Sequence, residues 1–331
     1  MRRSGFGRVF GPALFYLATS TGPIQGSAGG GLLKHLDQIE FCRLRLRLDF
    51  LGPCRLPEET LPRLRRDLHR AGRSVLDEVA FSGLFDPSLA ADPVAQRRFQ
   101  RPGPPFILAP APELPGTFGA GDGLPLTVTL WGDGVRRLDD FLAVMAAVGQ
   151  LGLGQGEGRF AIGTVAAEDP AGALQSWRGK DHTGLPITSA AWWLARQPVA
   201  DLWKLEMLSP ARLISKGRPL FRPRFPQLFR FILRRLTSLS FAHCGLEIVT
   251  DAGELLAAAD GVEVRVNHLA WKDWRSLDAE SGPVDLGGVT GDLCFANPWD
   301  EDLLAVLQLG SLLNLGKGAS FASGAYRLLP A

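Results

Sequence analysis

The chain has 331 residues, 46% of them hydrophobic, and a net charge of +2. That length suits about two domains, the composition is enough for a buried core, and no apolar run approaches the roughly 18 residues of a membrane span. The near-neutral total does not by itself announce a polyanion partner, but the charges are unevenly placed. Nine Lys or Arg stand between Lys204 and Arg235 against the single acid Glu206, and nine arginines stand between Arg43 and Arg73. Such local basic stretches are what a polyanion-binding face leaves in a sequence, and also what solvated helix faces leave.

In chain order, the first 35 residues have a basic start and an apolar run broken by Gly11 and Pro12. They read as a disordered leader, or as the product of a start codon placed too early, rather than as a secretory signal. Residues 40–50 (EFCRLRLRLDF) alternate strictly, with Arg43, Arg45, Arg47 and Asp49 on one face and Leu44, Leu46, Leu48 and Phe50 on the other. This is a half-buried strand. Residues 58–80 carry a helical stripe, Leu61, Leu64, Leu68 and Ala71, with Pro62 tolerated in the first turn. An extended piece at PFILAP, a strand at LTVTLWG, a helix over 135–148, a glycine-rich loop over 149–158 and a strand over 159–165 follow. The order strand, helix, strand, strand, helix, strand is the split βαβ, or ferredoxin-like, order.

Residues 168–200 read as a connection. The second half then repeats the plan: an extended piece over 202–214, a helix over 225–242, strands over 262–271 and 284–296, a helix over 301–313, a glycine-rich loop and a last short strand. The two glycine-rich loops hold equivalent places, as in an internal repeat. The expected fold is therefore α+β: two tandem ferredoxin-like (βαββαβ) domains, at 36–167 and 201–331, with a C-terminal glycine-rich loop.

That loop, LGKGASFASGAYRL, is not a phosphate-binding P-loop. Five residues rather than four separate Gly310 from Gly316, Gly318 stands where the metal-binding hydroxyl belongs, and a strand rather than a helix follows. The remaining alternatives are a tight turn into the last strand and a backbone that approaches a ligand where only glycine allows it. Cys42, Cys54, Cys244 and Cys294 form no C-x-x-C pair and no histidine stands at zinc-finger spacing. This argues against structural zinc and for free thiols in a reducing, cytoplasmic setting.

Four stretches resemble the CRISPR-associated endoribonucleases that process repeat RNA, members of the RAMP superfamily: LTVTLWGDGVRRLDDFLAVMAAVGQLGLGQGEGRFAI, LISKGRPLFRPRFPQLFRFILRRLTSLSFAHCG, LAWKDWRSLDAESGPVDLGGVTGDLCF and the closing LQLGSLLNLGKGASFASGAYRL. The last is similar to the family's C-terminal glycine-rich signature, with Ala322 where the family usually has a further glycine. The resemblance implies a loop packed between two ferredoxin-like domains and touching RNA through Gly316, Lys317, Gly318 and Gly324. The helix carrying Arg230, Arg234 and Arg235 is a candidate phosphate track. Lys272 and Arg275 flank Trp271 and Trp274, which suit core packing better than base stacking.

The reaction implied is metal-independent attack of a ribose 2′-OH on its own phosphate, giving 2′,3′-cyclic phosphate and 5′-OH ends, with no cofactor. It needs a base, an acid and a cation beside the phosphorane. Histidine suits the proton transfers. His69, on the first helix beside Arg65, Arg66 and Arg73, is the first candidate; His243, at a helix end where it can also serve as a cap, and His35 follow. His182 and His268 are weaker, and Tyr326 reads as a packed strand residue. Two functions follow from the resemblance: a pre-crRNA-processing endoribonuclease acting on CRISPR repeat RNA, or a non-catalytic RAMP subunit that holds guide RNA among other effector subunits.

Overall fold

The computed structural model describes residues 31–87, 102–154, 156–169, 171–177, 184–273, 275–278, 282–285, 287–298 and 300–331, with the backbone alone for 275–278 and 282–285. The expected leader up to residue 30, His182 and Trp274 lie outside the described residues, as does the Arg275 side chain.

The first half contains β1 (Glu40–Phe50), β2 (Cys54–Leu56), α1 (Thr60–Val75), α2 (Glu78–Phe85), β3 (Phe106–Leu108), β4 (Gly116–Phe118) and β5 (Gly123–Trp131). A short 3₁₀ turn (Gly132–Arg137) then leads into α3 (Leu138–Leu151), followed by β6 (Phe160–Glu168), β7 (Leu174–Ser176), β8 (Thr188–Ser189) and α4 (Ala190–Leu194). The sheet runs β3-β5-β1-β6-β7, antiparallel throughout. Counting the four main strands in chain order, this is the 4-1-3-2 arrangement of a ferredoxin-like domain.

The alternation in β1 works as expected. Leu44, Leu46, Leu48 and Phe50 are buried beneath Leu61, Leu64 and Leu68 of α1 and Phe141, Val144 and Val148 of α3. The arginines turn to the open face, where Arg43 meets Glu168 at 2.7 Å. The helical run expected to reach residue 80 breaks sooner. Leu76 is extended (ψ 149), and Asp77 caps a separate helix by accepting from the Ala80 N–H. In the expected connection, β7 pairs with β6 and β8 with β1, so parts of it extend the first sheet.

The second half contains β9 (Leu202–Met207), a small hairpin of β10 (Ile214–Ser215) and β11 (Arg218–Pro219), α5 (Phe225–Cys244), α6 (Ala252–Asp260) and β12 (Val264–Asn267). Next come two stacked hairpin rungs, β13 (Ala270–Lys272) with β16 (Gly288–Thr290) and β14 (Arg275–Asp278) with β15 (Gly282–Asp285), then β17 (Asp292–Ala296), α7 (Glu301–Ser311) and β18 (Tyr326–Pro330). Its sheet, β12-β17-β9-β18, repeats the 4-1-3-2 order. Helix α6 is absent from the sequence-based expectation, although Asp251 caps it. The strand expected over 262–271 divides because the Asn267 side chain accepts the Leu269 N–H at 3.0 Å and turns the chain.

The two halves share buried residues. Phe41, Ile107 and Trp131 from the first sheet are buried in the second core, with Phe41 stacked on Trp131 at 5.6 Å. Residues 32–34, expected in the leader, are instead docked on the second half. Lys34 N–H donates to the Ile248 carbonyl at 3.0 Å, and Leu32 and Leu33 donate to the Asp302 carboxylate. Among the described residues no helix is long and apolar enough to cross a membrane, and all four cysteines are free thiols.

Candidate active site

The glycine-rich loop joins the two cores. Phe321 and Ala322 belong to the first core, where Phe321 meets Phe106 edge-on at 5.8 Å. Leu315 and Tyr326 belong to the second, and the Tyr326 hydroxyl donates to the Leu307 carbonyl at 2.6 Å. Buried Asn314 donates to the carbonyls of Leu108 and Ala319, both at 2.9 Å. The Lys317 N–H donates to the Arg212 carbonyl at 2.9 Å. The loop amide at Lys317 is thus committed to the fold, while its ammonium stem is exposed.

Glycine is required here for packing. At Gly324 (φ +66) a Cβ would lie 1.9 Å from the Leu315 carbonyl oxygen, and at Gly316 (φ +84) 2.7 Å from that of Arg212. Ala322 also has a positive φ, 59°, so the position where the family usually carries a glycine keeps a left-handed backbone in this chain.

Beside the loop lies a cleft of about 580 Å³. One wall is α1 with Arg65 and His69, the other α5 with Arg234 and Arg235, and the loop from Gly316 to Phe321 forms the floor. Among the described residues the lining cations are Arg65, Arg212, Arg234, Arg235 and Lys317, against one carboxylate, Asp86. A concave surface with that imbalance concentrates positive potential.

His69 is half-buried, its ring packed against Phe85 at 4.7 Å and Phe81 at 5.8 Å. Its pKa lies below the ordinary value of 6.5, first because burial disfavours the imidazolium and then because Arg65 is near; Asp86 opposes the shift. The free protein therefore presents a neutral imidazole at pH 7. Arg234 lies over the Phe231 ring at 4.8 Å. Arg235 is turned into the loop, its pKa pushed down to about 10 by burial.

His69, Gly316, Lys317, Gly318, Arg234 and Arg235 are brought together at this cleft. Gly324 is buried at the base of the loop. Arg230 on α5 and Lys272 on β13 are exposed and do not line it. His243 is 4% exposed, with Nε2 2.9 Å from the Gly103 carbonyl oxygen. His35 sits in an exposed turn with φ 59°, away from the cleft-lining residues. Arg212 and Asp86 are cleft residues that sequence reasoning missed. Arg212 is marked only by its pairing with Lys317 across the chain, which no local pattern shows. Among the described residues no cluster of three His, Cys, Asp or Glu side chains is placed to hold a metal ion.

The described residues form two ferredoxin-like halves joined by a glycine-rich loop, with a basic cleft at the seam. Residues 205–326 match the family described as CRISPR-associated endoribonuclease Cas6. Residues 69–185 match a second family, the N-terminal domain AF_1859_N. A search of the curated proteins finds no match.

Among solved structures, a Cas6 product complex is similar over 88% of this chain and 99% of its own, at 20% identity and a TM-score of 0.50. The Thermus thermophilus Cas6 is similar over 88% and 99%, at 17% identity and 0.50. The partial Cas6-RT-Cas1–Cas2 complex is similar over 88% of this chain and 46% of its own, at 14% identity and 0.56. At these identities the likeness is one of fold.

Proposed function

We propose that this chain is a CRISPR pre-crRNA-processing endoribonuclease, acting in a cytoplasmic setting on repeat RNA. The observation that carries this is that His69, Lys317 and Arg234 line one cleft, with one carboxylate, Asp86, among its described lining residues. The scissile phosphate occupies the cleft. His69, neutral at pH 7, takes the 2′-OH proton as that oxygen attacks phosphorus. The new P–O2′ bond replaces the P–O5′ bond, and the leaving oxygen takes a proton from a water molecule to become the 5′-OH; the hydroxide so formed recovers the proton held by His69. Lys317 and Arg234 stabilise the charge that builds on the phosphorane oxygens. Gly316 and Gly318 give the floor of the cleft its positive-φ backbone, and Arg235 holds that floor in place. His243 and His35 take no part in proton transfer.

The test is cleavage of the repeat RNA encoded beside this chain's gene, in EDTA, with end mapping. A single cut leaving a 2′,3′-cyclic phosphate, blocked by 2′-deoxy substitution at the cut, is expected. Tight binding without cleavage would replace the nuclease with a guide-holding RAMP subunit.

A further inference from the structure

Just outside the cleft, the β10–β11 hairpin delivers an aromatic side chain to the surface. Phe221 is 60% exposed. It is held firmly despite this. Its carbonyl accepts the Trp271 N–H at 2.7 Å, and Leu220 N–H donates to the Leu213 carbonyl at 3.0 Å. Trp271 meets the Phe221 ring edge-on, with centroids 5.7 Å apart and planes at 68°. The indole N–H in turn donates to Asp273 at 2.8 Å, which fixes Trp271.

The surroundings are basic. Arg222 and Arg224 follow Phe221, Lys216 and Arg218 precede it, and Lys272 follows Trp271; all five are exposed. Residues 207–246 contain no Asp or Glu. The hairpin also reaches the cleft: Ile214 lines it and pairs with Pro219, two residues before Phe221. An exposed ring held against Trp271, with exposed basic residues beside both in the chain, matches the chemistry of a nucleobase, which has a flat π-face, on a phosphate backbone. A protein partner seated on a single ring would need balancing acids or a wider apolar surface.

We propose that Phe221, backed by Trp271 and flanked by Arg222 and Lys272, is the stacking site for an unpaired nucleotide of the RNA whose scissile phosphate lies in the cleft. The proposal rests on the nuclease reading above and adds a single-stranded contact beside the cleavage point. Phe221 acts on binding and register, not on proton transfer.

The test uses the full chain and the repeat RNA, made non-cleavable by 2′-deoxy substitution at the cut, with 2-aminopurine placed at each unpaired position in turn. Quenching at one position, or two adjacent ones, is expected on binding. Phe221→Ala should abolish it, weaken binding about 5- to 30-fold and raise KM with kcat unchanged on cleavable RNA. Phe221→Trp should restore quenching and affinity, whereas Phe221→Leu, which keeps the apolar bulk, should not. Unaltered quenching and affinity in Phe221→Ala, or full rescue by Phe221→Leu, would overturn the stacking site while leaving the nuclease intact. Wild-type protein that neither binds nor cuts the RNA would overturn both.

Discussion

Arg235 donates from Nε to the carbonyl of Leu313 at 2.6 Å. A second donor of the same guanidinium reaches Ser320 Oγ at 3.2 Å, so one side chain of α5 spans the glycine-rich loop. Hydrogen bonds from a charged donor in a partly buried setting contribute about 1.5–3 kcal/mol each. Arg235→Ala should destabilise the protein by about 2–4 kcal/mol, read from urea unfolding, and lower cleavage by loosening the floor. Arg235→Lys should recover only part of this, because an ammonium lacks the planar fork. Equal stability of wild type and Arg235→Ala would remove the clamp from the account.

His69→Ala should lower kcat at least 100-fold while leaving RNA affinity within a few-fold, since loss of general acid–base catalysis is worth roughly 10²–10⁴. The pH profile carries the sign. The active form is the neutral imidazole, and burial and Arg65 both hold the pKa below its ordinary value. The acid limb of kcat/KM should therefore lie below pH 6.5, with a plateau by neutrality. Arg65→Gln removes the cation that lowers this pKa most and should move that limb to higher pH. A rate that instead falls as pH rises through this region would assign His69 the acid role.

His243 has the same direction of shift for a structural reason. Burial lowers its pKa, and the hydrogen bond to Gly103 opposes that only in part. With the folded pKa below the unfolded one, its contribution is fully present above about pH 6.5 and is lost as pH falls through the folded value. His243→Gln keeps a donor for the Gly103 carbonyl but cannot titrate. Its melting temperature should fall less than that of wild type between pH 7.5 and pH 5.5, with cleavage at pH 7.5 within a few-fold. An unchanged pH dependence of melting would show that the imidazole charge is not felt by the fold.

Gly324 and Ala322 should respond in opposite ways. Gly324→Ala places a Cβ against the Leu315 carbonyl at a positive φ and should cost about 3 kcal/mol or more. Ala322→Gly relieves a left-handed alanine, worth about 1 kcal/mol before the added chain entropy of glycine is subtracted. It should be neutral to slightly stabilising. Thermal unfolding of both variants decides this; a marked loss from Ala322→Gly would mean that its buried methyl packs more strongly than the strain it carries.

Lys317→Gln and Arg234→Gln should each weaken RNA binding across sequences and reduce the slope of log K against log salt by about 1. Lys272→Gln tests whether the contact continues outside the cleft. Salt titrations of binding to the non-cleavable repeat RNA give all three slopes, and an unaltered slope for Lys317→Gln would take its ammonium off the phosphate.

The sequence by itself determined the architecture, because the signals are local. The two-residue alternation of residues 40–50, the stripe Leu61, Leu64, Leu68 and Ala71, and the glycines after α3 and α7 depend only on neighbours along one element. Where two outcomes lie close locally, these signals ran out. Leu76 and Asp77 divide one apparent helix into two, Asn267 turns one apparent strand, and α6 follows its Asp251 cap unannounced. The cleft was decided only by tertiary structure. His69 and Lys317 line one cleft because Phe321 is buried beside Phe106 in the first core while Tyr326, five residues on, is buried in the second. Arg212 enters by pairing with Lys317, and His243 leaves by finding the Gly103 carbonyl. Each of these contacts joins residues distant in the chain, and burial and hydrogen bonding across such distances leave no periodicity in the sequence.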